Sequence, residues 1–366
     1  MARHSSIRTV MAAMSGGVDS AVAASLLLEQ GYAVRGATLL LRPDPGAAAD
    51  DSAESPKTCG SLADIEDAKA VSARLGIPHD VFDFTALFRE AVVEKFAQVY
   101  ASGGTPNPCI DCNRYLKFGA LLEQAETLGM DAVATGHYAR VEEDPETGRM
   151  LLKKALDASK DQSYVLYSLT QRQLAHVLFP LGGLRKTDVR AYAQAHGFEN
   201  ARKPDSQDIC FVPDGDYVRF LQESLGRPNQ PGSFLDTEGR VLGTHRGFLH
   251  YTIGQRKGLG LSFGEPRFVV SKDAAAGSVT LGTGEALLSC TLTAEDVNLI
   301  ALPDLAAPMR VTAKTRYRQA ECPALLELCG DSRIRLIFDQ PQRAVTPGQA
   351  VVFYRDDIVI GGGTIV

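Results

Sequence analysis

The sequence predicts an α/β fold built on a parallel sheet with helices on both faces, followed by an all-β C-terminal part that forms a small barrel. Three observations carry this. The first half alternates short apolar runs with segments of helical periodicity. After Phe211 the composition shifts and turn-forming residues become frequent. From about Phe268 to the end, short alternating runs dominate. At 366 residues the chain is too long for one core, since cores stop growing near about 250–300 residues, so two or three domains are expected.

Residues 9–14 form an apolar run read as a buried strand, and 20–30 repeat apolar residues at helical spacing up to Gly31. A second strand covers 33–41. Pro, Asp, Ala and Ser then fill 42–60, which reads as a surface loop. A helix over 62–75, an extended segment over 79–84 and a helix over 87–100 follow. A Gly/Pro turn over 102–108 leads to a helix over 115–128 and a strand over 131–135, ending at Gly136 and His137. In such sheets ligands sit at the carboxyl ends of the strands. Residues 15–20 and Gly136–His137 both fall there. Residues 161–197 read as mainly helical and 214–225 as one helix. The turn signals Pro231-Gly232, Glu238-Gly239, Gly254 and Gly258 come next. The C-terminal strands are read over 278–281, 309–313, 334–338, 350–354 and 358–366.

No run of about 18 apolar residues occurs, so no membrane partner is expected. The polar start runs straight into a core strand and is not read as a signal peptide. Seven cysteines, at 59, 109, 112, 210, 290, 322 and 329, are odd in number and irregularly spaced. They suit a reducing cytoplasm with one or two active thiols rather than a disulfide framework. Cys290, Cys322 and Cys329 are read as small buried apolar residues. A net charge of −6 means that a nucleic-acid partner needs a local basic cluster. Arg310, Lys314, Arg316 and Arg318, interleaved with Tyr317, supply one; the plain alternative is a charged outer strand face.

Ser15, Gly16, Gly17, Val18, Asp19 and Ser20 lie between the first strand and the first helix. Two glycines let the backbone turn sharply and bring its amides to an anion, and the helix amino end adds unpaired N–H groups. Ser15 and Ser20 can donate to phosphate oxygens. Asp19 would repel bare phosphate, so a role through magnesium or an oriented water is expected. The alternative is a helix-capping turn using Asp19 or Ser20. No Gly-Lys-Ser/Thr follows, so this is not a Walker loop. It resembles the loop of the N-type ATP pyrophosphatases, which grip the pyrophosphate of ATP and transfer AMP to a substrate oxygen.

Two cysteines stand in unusual contexts. Cys112 follows Asn107-Pro108-Cys109 and precedes a helix expected from about Arg114, and a thiol near a helix amino end is more acidic. Cys210 lies in the polar segment 205–211. Segments 105–113, 135–138, 160–164, 205–211, 252–258 and 316–318 resemble, in order, the signature blocks of the tRNA-specific 2-thiouridylases. That resemblance implies a nucleotide-binding α/β domain over 1–210, a small central domain over 211–275 and a β-barrel domain over 276–366. Ala13, Met14 and the loop Ser15–Ser20 would hold ATP, with Leu39 and Gly136 on the adenine side. Cys210 would take sulfur as a persulfide from an upstream donor protein, and Cys112 would be the second catalytic thiol. Asn107, Pro108 and Cys109 would cradle the target base. His137, Lys160, Asp161, Gln162, Arg316, Tyr317 and Gln349 would touch tRNA.

Cys109 departs from the family pattern, which has an aspartate there that assists proton transfer; Asp111 is the substitute, or else a solvated cap residue. Cys109 also creates a C-x-x-C pair with Cys112. A second reading therefore has Cys109, Cys112 and Cys210 holding an iron–sulfur cluster with one open iron. Two other functions compete: a small-molecule adenylating synthetase, which leaves the thiols unexplained, and a tRNA-binding module without catalysis, which leaves the intact loop unexplained.

Overall fold

The computed structural model describes residues 6–42, 61–202, 209–212, 214–226, 228–330 and 332–366. Most of the loop expected over 42–60, with Cys59, lies outside them, as do residues 205–208 of the polar segment before Cys210. The chain divides into two compact units: residues 1–93, 108–215 and 357–359 form the first, and 94–107, 216–356 and 360–366 the second.

The first unit holds a five-stranded sheet. In spatial order its strands are His79–Asp83, Ala33–Leu40, Thr9–Ala13, Ala132–Ala134 and Val177–Leu178, all parallel. Thr9–Ala13 is central because its residues are apolar on both faces; Val10 and Met11 are fully buried. The chain builds outward from it on one side, then crosses to the other with Ala132–Ala134. The carboxyl ends of those two strands therefore flank the point where strand order reverses, the usual ligand crevice of such sheets.

Helix Val18–Glu29 packs its alanine-rich face, Ala21, Ala23 and Ala24, into the core beside Val189 and Ala193 of helix Lys186–Ala195. Small side chains there let the helices approach closely. Helix Leu62–Leu75 starts with a reciprocal capping box between Ser61 and Asp64 and ends at left-handed Gly76.

The structure adds detail to the sequence reading and corrects one boundary. The region 161–197 holds helices Ser163–Leu166, Gln171–Ala175 and Lys186–Ala195, as expected, and also Val177–Leu178, the fifth strand. A hairpin, Ala139–Glu143 and Met150–Lys154, also went unforeseen. The helix expected from Arg114 begins earlier, at Pro108. Proline suits the first turn of a helix, where its missing N–H is no loss. The helix continues through a π-helical stretch, Cys112–Ala120, into Leu121–Thr127.

The second unit contains a four-stranded sheet over Phe268–Asp273, Ser278–Gly282, Gly232–Leu235 and Val241–His245. Its core gathers Phe234, Tyr251, Val269 and Leu281. The C-terminal strands close into a six-stranded barrel in the order Leu288–Leu299, Ile334–Arg343, Cys322–Leu328, Met309–Lys314, Ala350–Arg355 and Ile358–Ile365, the last pairing back with the first. Alternation puts Val311, Ala313, Ala324, Leu326, Leu336 and Phe338 inside. The three cysteines of this part are not buried: Cys290 is exposed, and Cys322, at the first position of its strand, and Cys329, just past that strand's end, are half-buried. Among the described residues no helix is long and apolar enough to cross a membrane.

Candidate active site

The loop after strand Thr9–Ala13 is tied down from several directions. Gly16 is left-handed, with φ +69°, and a Cβ on it would lie 2.7 Å from the Asp64 carbonyl oxygen. Only glycine lets the first turn of helix Leu62–Leu75 seat against the loop. Asn200 donates to the Gly16 carbonyl at 3.1 Å. The Ser20 hydroxyl donates to the Gly17 carbonyl at 3.0 Å and accepts the Ser15 N–H at 3.2 Å. Ser20 thus shapes the loop, while Ser15 is exposed. Ala13 ends the strand, and Met14 and Val18 are buried beneath the turn.

The capping alternative does not describe this turn. The residue at the helix N-cap is Gly17, and no side chain caps it. A helix start without a side-chain cap leaves first-turn N–H groups to a ligand or water.

Gly136 follows the neighbouring strand Ala132–Ala134. A Cβ there would fall 2.8 Å from both the Asp19 carbonyl carbon and the Ser20 nitrogen. Its backbone therefore packs directly on the helix start. Leu39, on the other flanking strand, is 8% exposed.

Asp19 is the electrostatic centre. Both of its carboxylate oxygens accept from Lys186 Nζ, each at 2.7 Å, and Oδ1 also accepts the Tyr138 hydroxyl at 2.9 Å. The Lys186 side chain is 9% exposed and that of Asp19 30%, so the carboxylate faces outward and the ammonium stands behind it. Segment 155–163 places both partners. Asp157 accepts the Lys186 N–H at 3.0 Å, and this bond is the main reason its carboxyl titrates below the usual range. Gln162 bonds the Tyr138 backbone in both directions, its Oε1 accepting the Tyr138 N–H and its own N–H donating to the Tyr138 carbonyl, each at 2.9 Å. Asp161 accepts from the Ala155 and Ser163 N–H groups and the Ser163 hydroxyl. Asp161 and Gln162 thus order this loop, and half-buried Lys160 lies beside them. Sequence reasoning missed Lys186, Asn200 and Asp157, whose surroundings in the chain carry no local motif.

His137, expected to touch tRNA, is only 8% exposed. It clusters with the rings of Phe118 and Phe179, which also contact each other, and bonds Thr135 Oγ1 at 2.7 Å. Burial holds its imidazole well below the usual histidine range.

Cys112 and Cys210 both belong to the first unit and are half-buried, while Cys109 is exposed. Because the helix starts at Pro108, Cys112 lies in its second turn. The amino-end effect, which fades within one turn, favours Cys109 instead. Phe211 anchors the Cys210 segment on Phe88, ring centroids 5.8 Å apart. Pro108 is buried and Asn107 half-buried. Asp111 is 7% exposed, which corrects its reading as a solvated cap residue. Among the described residues no three His, Cys, Asp or Glu side chains form a group that could hold a metal ion.

In the second unit the basic stretch divides. Arg310 pairs with Asp339 two strands away, across Cys322–Leu328, and Lys314 lies 5.9 Å from the centre of the Tyr354 ring. Arg316 Nη2 is engaged internally, donating to the Ala344 and Ile253 carbonyls and Thr346 Oγ1 at 3.0–3.4 Å. Tyr317 and Arg318 are exposed, and Gln349 is half-buried.

Three family models match the chain. Their descriptions are a tRNA methyl transferase HUP domain over residues 8–214, a tRNA methyl transferase PRC-barrel domain over 218–283 and an aminomethyltransferase beta-barrel domain over 289–365. Full-length relatives carry a different activity in their name, tRNA-specific 2-thiouridylase MnmA. That of Acetivibrio thermocellus is 49% identical over 358 residues, covering 98% of this chain and 99% of that protein. That of Heliobacterium modesticaldum is 52% identical, covering 98% and 92%. That of Clostridioides difficile is 47% identical, covering 98% of each.

Proposed function

The chain belongs to the tRNA-specific 2-thiouridylase family, and on that premise we propose that it uses ATP to replace the C2 oxygen of the wobble uridine of tRNA with sulfur. It is a tRNA sulfurtransferase. The observation that carries the finer reading is that one compact unit holds both an uncapped glycine loop at the strand-order reversal and two partly exposed thiols, Cys112 and Cys210.

The chemistry needs both. A uracil C2 carbonyl is a poor electrophile with a poor leaving group. Its oxygen attacks the α-phosphorus of ATP and pyrophosphate departs, held by the loop amides and the helix start. The outer sulfur of a Cys210 persulfide then forms a bond to C2, and AMP leaves with the former C2 oxygen. Attack of the Cys112 thiolate on the Cys210 sulfur cleaves the S–S bond, leaving 2-thiouridine and a Cys112–Cys210 disulfide for an external thiol to reduce. An upstream persulfide protein reloads Cys210. Tyr317 and Arg318 supply the exposed aromatic and cationic groups suited to RNA. Asn107, Pro108, Cys109, Lys160 and Gln349 are the other proposed RNA contacts. The reaction belongs in the cytoplasm, where tRNA and ATP are found.

The test is incubation of the protein with unmodified tRNA, ATP, magnesium and a sulfide or persulfide source, followed by nucleoside mass spectrometry. A 2-thiouridine product at the wobble position, with AMP and pyrophosphate released in step, is expected. Folded protein that yields no thionucleoside from intact tRNA refutes the proposal.

A further inference from the structure

We infer that Lys186 is a built-in counter-charge for Asp19, so that the loop accepts polyphosphate without Asp19 acting as a magnesium ligand. This rests on the reading of the loop as an ATP site. A carboxylate in the first turn of a helix suits the helix dipole but repels an incoming phosphate. Here that repulsion is cancelled inside the protein. Lys186 Nζ bonds both Asp19 oxygens at 2.7 Å, and Tyr138 adds a third hydrogen bond at 2.9 Å. A carboxylate offers about four lone-pair directions, and three are taken. A cation bound by Asp19 would have to compete with the buried ammonium of Lys186 for both carboxylate oxygens, a costly exchange.

The arrangement is held from outside the pair. Asp157 fixes the Lys186 backbone at the start of its helix, and Gln162 fixes the backbone of Tyr138. Lys186 is thus a positioning residue that acts through Asp19. It offsets the charge of Asp19 before the nucleotide arrives, and any magnesium then travels with the phosphates. The chain is proposed to bind metal-free ATP and inorganic pyrophosphate measurably, with magnesium only strengthening ATP binding.

Calorimetry with ATP in EDTA and in magnesium, on the full chain without tRNA, yields the ratio of the two affinities. Lys186→Met is expected to weaken metal-free binding by about tenfold to a hundredfold, the worth of one hydrogen-bonded charge. Binding with magnesium falls less, because the metal supplies the missing positive charge, so the ratio grows. Lys186→Arg restores the wild-type ratio, and Asp19→Asn, which removes the carboxylate that Lys186 offsets, tightens metal-free binding and leaves binding with magnesium no weaker than wild type. An unchanged ratio in Lys186→Met, or weaker binding with magnesium at unchanged metal-free affinity in Asp19→Asn, overturns the inference, the second because Asp19 would then be the metal ligand. Melting temperatures of each variant establish folding; if Lys186→Met does not fold, the two Asp19→Asn affinities, with and without magnesium, decide. A wild-type chain that binds ATP under neither condition refutes the ATP reading itself.

Discussion

Gly136→Ala tests whether the turn after Ala132–Ala134 backs the glycine loop. An added Cβ would sit 2.8 Å from the Asp19 carbonyl carbon and the Ser20 nitrogen, whereas ordinary contact begins at 3.4 Å. The backbone must therefore open by the difference, 3.4 − 2.8 = 0.6 Å, and no flexible side chain lies in the way to absorb it. Overpacking of this kind costs about 1–3 kcal/mol. At about 2–4 °C per kcal/mol for a chain of this class, Tm should fall by about 2–12 °C. The same displacement moves Asp19 relative to Lys186 and Tyr138, and misplacement approaching 1 Å in a reacting site costs up to about a hundredfold. The assay is tRNA-dependent pyrophosphate release beside thermal unfolding. Gly183→Ala is the control, because a Cβ there meets nothing within 4 Å. A Gly136→Ala protein with wild-type Tm and wild-type pyrophosphate release refutes the packing argument.

Cys112→Ser and Cys210→Ser should each lower thionucleoside formation by about a hundredfold or more while leaving tRNA-dependent pyrophosphate release, because adenylation needs neither thiol; loss of both signals together contradicts the division of labour. Arg318→Ala should reduce the salt slope of tRNA binding by about 0.9 without changing ATP affinity, as read from titrations at several salt concentrations. Arg316→Ala should instead lower Tm, by about 1–3 kcal/mol of stability, since its guanidinium serves three internal acceptors. For His137 the sign follows from burial. Its folded imidazole stays neutral while the unfolded one gains a proton below about 6.5. Stability is present above that pH and is lost as pH falls, by up to about 2 kcal/mol between pH 7 and 5 for an imidazole that stays neutral. Urea unfolding across that range should show a shallower pH dependence in His137→Asn.

Much of this protein is local in origin and therefore visible in the chain. Strands such as Thr9–Ala13 and Ala33–Leu40 announce themselves because a buried parallel strand must be apolar on both faces. The glycine loop is legible because its chemistry needs consecutive residues. The barrel strands show alternation wherever one face meets a core, as in Met309–Lys314. Short or polar elements escaped: Val177–Leu178 has two residues and no period, and Ala139–Glu143 carries charge where it meets solvent. The helix start at Pro108 was hidden by a proline that reads as a turn. What the tertiary structure alone decided is the electrostatics of the loop. Asp19 and Lys186 lie 167 positions apart, and nothing near either one points to the other. Their pairing exists because the sheet brings a loop and a later helix to one strand end, and a buried ammonium requires a carboxylate within hydrogen-bond reach. Likewise Arg316 reads as a phosphate ligand in sequence, and only the fold shows that its Nη2 also serves three internal acceptors.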